Sequence, residues 1–322
     1  MNLKLFLYRA KERLKRTLYL KQNGFCTVLL YHRVNDLSYD PQQLCVSVNN
    51  FRDQLSFLKK KYKFLTLEEF CGILKNKKRF PANSLLITFD DGYADNCENA
   101  LPLLESLGLQ AVFYIATKNI DTDELFWWDE LDIVFREVKQ KKINVNELLI
   151  KNNLQNSEQL YTHYVTKCKT VNSLNERNQL MAEVRTLYTV TESDKRDYAF
   201  LNATQLKRMS DSKSAVMAAH TINHLSLGHL SESDQYNEIK GSIDRLSKAL
   251  GKKVEHFSFP YGEKTHFNQT TINICKELGM QSAAANYCDI VTPDDDVYSF
   301  PRFVVRNDKA EVLEQKIKKN IK

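Results

Sequence analysis

Short unbroken apolar runs in this chain alternate with stretches where apolar residues recur every three or four positions. Runs at 26–31, 84–89, 110–116, 215–219, 256–259, 281–285 and 298–305 read as buried strands. Helical spacing fills most of the intervals, near 50–61, 67–75, 96–107, 231–250, 270–278 and 310–321. Buried strands separated by helices predict parallel βα units in an α/β fold.

Two segments depart from this rhythm. Residues from about 121 to 200 are polar and helical in pattern, rich in Lys, Asn, Glu and Gln, and contain Phe126-Trp127-Trp128-Asp129. They read as an insertion between barrel units. At the N-terminus, Leu3, Phe6, Leu7, Ala10, Leu14 and Leu18 take helical spacing with Lys and Arg between them. Such a basic amphipathic helix either lies in an anionic membrane surface or packs its apolar stripe on the domain. The organisation expected is a basic helix over 1–22, a barrel over 23–308 and a terminal helix over 309–322.

Charge sharpens this division. The formal net charge of +6 is matched by residues 1–22, where seven Lys and Arg face Glu12 alone, so the body is electrically balanced. A broad nucleic-acid-binding surface is therefore not expected. Seven scattered cysteines without a CxxC pair argue against a zinc ribbon and for a reducing compartment. The longest early apolar run, Leu5–Tyr8, is too short for a secretory signal, and no stretch approaches a membrane span. A cytoplasmic protein, with peripheral membrane contact through 1–22, is the expectation.

Candidate chemistry clusters at the ends of three of the strands. Asp90 and Asp91 follow the run 84–89 and precede Gly92. Adjacent carboxylates repel, so a cation or a proton should accompany them; an Asx turn capping the next helix is the ordinary alternative. His220 and His224 follow the run 215–219, and in a helical turn this spacing would put both rings on one face. His32 ends the first strand and has the side-chain type for proton donation, although lone histidines are more often structural. Two His and one Asp make a three-ligand set with an open position, as in hydrolytic zinc sites, leaving Asp90 to accept a proton from water.

The pair Thr88-Phe89-Asp90-Asp91-Gly92-Tyr93 and His220-Thr221-Ile222-Asn223-His224 resembles the NodB-homology polysaccharide deacetylases, carbohydrate esterase family 4, over about 26–120 and 203–305. The resemblance implies an irregular (β/α)7 barrel and removal of N-acetyl, or sometimes O-acetyl, groups from carbohydrates. It makes Asp90 the catalytic base, and Asp91, His220 and His224 ligands of a divalent metal. Zinc is preferred, with cobalt, nickel or manganese able to use the same ligands. Two departures stand out. Many members carry an Arg-x-Pro-Tyr motif, whereas the matching stretch Phe257-Ser258-Phe259-Pro260-Tyr261-Gly262 has Phe259 next to Pro260 and no Arg, and no Leu-x-His motif lies near the C-terminus. They resemble a branch in which an early Tyr-His, here Tyr31-His32, supplies the general acid, so His32 takes that role. Arg302 is the candidate for the missing positive charge.

The expected substrate contacts are Tyr261, Pro260, Arg302, Tyr31 and Trp128, with the backbone N–H of Tyr261 facing the oxyanion. Trp127 and Trp128 either stack on a sugar or anchor the insertion. Lacking a secretory signal, the chain is expected to act on an acetamido sugar intermediate, nucleotide- or lipid-linked, of lipopolysaccharide or another surface glycan. A non-catalytic carbohydrate-binding barrel and a carbohydrate O-acetyl esterase are the alternatives.

Overall fold

The structure, a computed structural model, describes residues 3–321, without the side chains of 3–7, 9, 10 and 12–14. Ten strands form among them: β1 (Cys26–Tyr31), β2 (Arg33–Val34), β3 (Cys45–Val46), β4 (Lys63–Phe64), β5 (Ser84–Phe89), β6 (Ala111–Ile115), β7 (Ala215–Ala219), β8 (His256–Ser258), β9 (Ser282–Ala284) and β10 (Phe303–Val304). The main sheet runs β10-β1-β5-β6-β7-β8-β9, all parallel, with β4 paired to the start of β5 and β2 paired with β3 alongside. Every residue of β1, β5 and β6 is buried, as expected for parallel strands covered on both faces.

Helices supply the cover. α1 (Leu3–Asn23), α2 (Val48–Lys59), α3 (Leu67–Lys75) and α4 (Leu101–Leu107) come first, the last entered through a π-helical turn at Asn96–Ala100. α5 (Trp127–Lys141), α6 (Asn146–Lys151), α7 (Ser157–Lys169), α8 (Leu174–Arg185) and α9 (Glu192–Lys195) occupy the inserted stretch. α10 (Ala203–Asp211), α11 (Glu232–Leu250), α12 (Gln269–Glu277) and α13 (Ala310–Asn320) follow. Strand alternation sets the layers. Tyr31, Phe89 and Phe113 sit in register on neighbouring strands and stack, with ring centroids 5.3 and 4.8 Å apart, and Phe51 of α2 packs on the first two. The residue after each strand end therefore turns the other way, inward.

The last strand differs from expectation. Only Phe303 and Val304 pair with β1, while Phe300 bridges to Ala284 and accepts a hydrogen bond from Ala285 N–H at 2.9 Å. The segment steps from one edge of the curled sheet to the other, so no long ladder forms on either side. It joins the edges and completes an irregular (β/α)7 barrel. Arg302 stands between the two contacts.

The inserted helices share an apolar cluster built from Trp127, Trp128, Leu131, Leu160, Tyr164 and Val184, joined by Tyr93 and Ala116 of the barrel. They lie over the C-terminal ends of the strands. α1 reaches the opposite end: Arg16 pairs with Asp289 at 3.0 Å, the Tyr19 hydroxyl donates to Asp294, and Leu20 is buried. Leu18, one member of the predicted apolar stripe, is exposed; the side chains of Leu3, Phe6, Leu7, Ala10 and Leu14 lie outside the described residues. Among the described residues no helix is long and apolar enough to cross a membrane.

Candidate active site

A cavity of about 500 Å³ opens where the strands end. His32, Asp90, Asp91, His220, Tyr261, Asn286 and Arg306 line it, each within two or three residues of a strand terminus, which is where α/β barrels place chemistry. The insertion adds Trp127, Trp128, Thr166, Lys169 and Thr170 to the wall.

Asp91 and both loop histidines converge at the floor. One ligand atom from each of Asp91, His220 and His224 lies within 4.8 Å of the others, and all three residues are buried. Asp91 Oδ1 is 3.7 Å from His220 Nε2 and 3.4 Å from His224 Nε2. His220 Nδ1 lies 2.9 Å from the Ser258 carbonyl oxygen and 2.6 Å from its hydroxyl, a contact that fixes the ring and turns Nε2 to the centre.

The electrostatics suit a cation. Burial, followed by the charges of Asp90 and Asp129, pushes the Asp91 carboxyl well above the usual carboxylate range. Burial also lowers both His220 and His224, so their rings are neutral at pH 7, the form that binds metal. His224 Nδ1 is buried without a hydrogen-bond partner among the described residues. A carboxylate costly to ionise alone, beside two neutral imidazoles, is a donor set that a divalent ion would satisfy.

Asp90 is different. Arg302, fully buried, grips it with two 2.7 Å hydrogen bonds, NH1 to Oδ1 and NH2 to Oδ2, while its Nε donates to the Ala285 carbonyl. Burial pushes the Asp90 carboxyl up, but Arg302, His220 and His32 together outweigh it and hold the group below its usual range. Asp90 is therefore an ionised acceptor at neutral pH. The Arg position of the Arg-x-Pro-Tyr motif falls on Ser258, whose hydroxyl contacts His220, and Phe259 is a core residue stacked on Phe267, so the positive charge arrives from the closing strand instead.

His32 faces the same cavity from β1. Burial, then the Arg302, Arg306 and His220 charges, pull it down to about 4 against the pull of Asp90, leaving a neutral ring at pH 7. A resting imidazolium is thus not supplied. A proton for donation has to reach His32 during turnover.

Several expectations need correction. His220 and His224 do not share a helical turn: Thr221 and His224 have φ of 64° and 53°, and the loop is irregular. Tyr31 does not reach the cavity. It alternates with His32 across the strand, so its ring packs under α2 and its hydroxyl donates to Gln54. Pro260 is buried beneath the turn, where its carbonyl accepts from Gly262 N–H. Arg302 is shut off from substrate by Asp90 itself. Of the other expected contacts, Tyr261 and Trp128 do line the cavity, with rings 4.7 Å from that of His224.

Trp127 and Trp128 anchor the insertion and face the cavity together. They are 6% and 4% exposed, and their indole N–H groups donate to the hydroxyls of Tyr261 and Tyr93. Sequence reasoning missed Arg306 and Asn286, although their places just past strand ends were a readable signal. It also missed Ser258 behind His220 and Lys169 on the far wall, and Lys169 carries no local signal at all.

Gly92 shows why this loop tolerates no side chain. Its φ is 92°, and a Cβ there would come within 2.9 Å of Ile115 Cγ2. The turn that follows the two carboxylates has room only for glycine.

The family model for polysaccharide deacetylase matches residues 77–283. The chain belongs to the polysaccharide deacetylase family. As a member it is a carbohydrate deacetylase. It is 26% identical over 318 residues to a poly-beta-1,6-N-acetyl-D-glucosamine N-deacetylase of Staphylococcus epidermidis, across 95% of this chain and 86% of that protein. Two solved structures share its fold. Streptococcus pyogenes PplD, in complex with acetate, superposes with a TM-score of 0.59 at 19% identity, covering 91% of this chain and 98% of that one. IcaB from Ammonifex degensii also gives 0.59, at 17% identity, covering 90% and 96%.

Proposed function

We propose that this polysaccharide deacetylase is a metal-dependent N-deacetylase acting on N-acetylglucosamine units of a β-1,6-linked glycan. The observation that carries the chemistry is the joint placement of an Asp91/His220/His224 donor set and an Arg302-held Asp90 in one cavity. The named activity of the staphylococcal relative, similar along nearly the whole chain, supports the choice of glycan.

Asp91, His220 and His224 would hold the divalent ion, with zinc preferred and cobalt, nickel or manganese chemically suited to the same donors. Such an ion, when bound, supplies Lewis acidity to an acetyl carbonyl. The chain does the rest. Asp90, kept ionised by Arg302, accepts the proton of the attacking water. His32 takes up a proton in the cycle and delivers it to the departing nitrogen, which cannot leave as an amide anion. The Tyr261 turn and the Trp128 ring shape the wall against which the acetamido group sits. The retained Asp90–Arg302 pair disfavours a non-catalytic barrel, since the charge missing beside Pro260 has been replaced.

Acetate and free amine, measured together on β-1,6-linked N-acetylglucosamine oligomers, test the reaction. Equal release of both supports N-deacetylation. On oligomers that also carry O-acetyl groups, acetate without amine would indicate an O-acetyl esterase, and neither product from metal-replete protein would sink the proposal. A phosphate-linked acetamido sugar is the second reading, favoured by Lys169 and Arg306 on the cavity wall. Faster turnover of a nucleotide-linked sugar than of the oligomer would move it ahead.

Two variants check the assignments. The wild type should carry about one equivalent of metal by elemental analysis, and His220→Ala should carry none. His32→Ala should lower amide hydrolysis by about 100-fold or more, the scale of general acid catalysis. Its effect on an aryl acetate should be far smaller, because an aryloxide leaves without a proton. Equal losses on both substrates would remove His32 from the acid role.

A further inference from the structure

The loop carrying His220 and His224 cannot hold its own shape. Two of its five residues have left-handed backbone, and one of them, Thr221, is β-branched. Its conformation is imposed from outside. On one side Glu238 of α11 accepts hydrogen bonds from Ile222 N–H, Asn223 N–H and the Asn223 side chain at 3.0, 2.8 and 2.6 Å. On the other side stands Arg177, carried by α8 of the insertion. Its NH1 donates to the His224 carbonyl at 3.1 Å and its NH2 to the Asn223 carbonyl at 2.6 Å.

Arg177 is 5% exposed, and these donors go to two carbonyls rather than to a carboxylate. Burying a guanidinium that no carboxylate touches, with Glu238 acting on it only at longer range, is costly, so packing alone would favour an apolar residue here. What Arg offers is a rigid planar fork that can grip two successive carbonyls at once. The carbonyl it holds belongs to His224 itself. Trp128, also from the insertion, presses the His224 ring from the other direction, and Trp127 bonds to the Tyr261 hydroxyl beside it.

We infer that Arg177 is a positioning residue for His224, through which the helical insertion sets the metal affinity of the barrel. This rests on the metal-site reading above. The insertion is then part of the metal centre's support, and loosening it weakens the ion's hold before it touches the substrate wall.

The experiment measures zinc affinity by chelator competition in wild type, Arg177→Met, Arg177→Lys and Arg185→Met, with thermal unfolding of each metal-free protein alongside. Arg185 lies on the same helix and makes a surface pair with Glu130, so its loss perturbs the insertion without touching the histidine loop. Removing an orienting partner of a metal ligand weakens affinity by about 10–100-fold, and that is expected for Arg177→Met. Arg177→Lys keeps the charge but not the fork and should fall between it and the wild type. Arg185→Met should bind zinc as the wild type does. The visible spectrum of the cobalt-loaded protein should change for Arg177→Met alone among the Met variants.

The sign is informative. A positive charge near the site opposes a cation, so if Arg177 acted only as a charge, Arg177→Met would bind zinc more tightly. Tighter or unchanged binding overturns the inference, even if the metal-free protein melts earlier. Should the Met variant not fold, the Lys variant decides, and wild-type affinity there overturns it equally. A wild type that binds no zinc refutes the underlying metal-site reading instead.

Discussion

Asp90→Asn is expected to reduce acetate release by about 10²- to 10⁴-fold, the range for a lost general base, while metal content stays at the wild-type level. The amide matches the carboxylate in size but cannot take a proton from water. Asp90 is also not one of the three converging donors at the floor, so the ion's binding set is left whole. Elemental analysis and an acetate assay on the same preparation read both quantities. Unchanged acetate release would remove Asp90 from the mechanism, and loss of the metal would make it a ligand instead.

Arg302→Met should be the most destabilising single change in the barrel. Removing one partner of a buried ion pair costs about 3–5 kcal/mol, because the other charge is left without compensation. Its pH dependence carries the sign. In the wild type the folded-state Asp90 carboxyl lies below its unfolded value, so the pair's contribution is present above the unfolded value and disappears as pH falls through the folded one. Without Arg302, burial is left as the largest influence and pushes the carboxyl up, so the variant loses stability as pH rises through the unfolded value. The gap between the two proteins should therefore widen from acid to neutral pH. Urea unfolding of chelator-treated protein measures it, and the double variant with Asp90→Asn should recover part of the loss. A gap independent of pH would mean that Arg302 acts through packing alone.

How much of this was readable follows from where each signal resides. The strands at 26–31, 84–89 and 215–219 match residue for residue, because parallel strands covered on both faces are mainly apolar, with Thr27, Ser84 and Thr88 the polar members, and end where His or Asp follows. The same rule located Asp90, Asp91, His220 and His32. The shape of the histidine loop was not readable, since its left-handed turns are held by Arg177, Glu238 and the backbone N–H of Thr117, from distant parts of the chain. Tyr31 was misassigned because its motif neighbour His32 faces the cavity, and adjacent strand residues cannot both do so. The two-residue strands Arg33–Val34 and Cys45–Val46 are too short to show any period. Lys169 and Thr166 reach the wall only through the packing of the insertion, which no local pattern encodes.

Four of the ten described non-glycine residues with positive φ, namely Asp91, Thr221, His224 and Tyr261, belong to the loops around the cavity. The other six are Asn, Asp, Gln or Lys, side chains common in turns. Unfavoured backbone at a working site is energy that the surrounding fold must hold in place. Heat tolerance and turnover are thus in competition at the same few positions. A library screened for thermal survival alone would tend to accumulate replacements there that relax the loops, and would discard catalysts while it enriched durable barrels. Screening for both properties together, with these four positions kept fixed, is the course the backbone recommends.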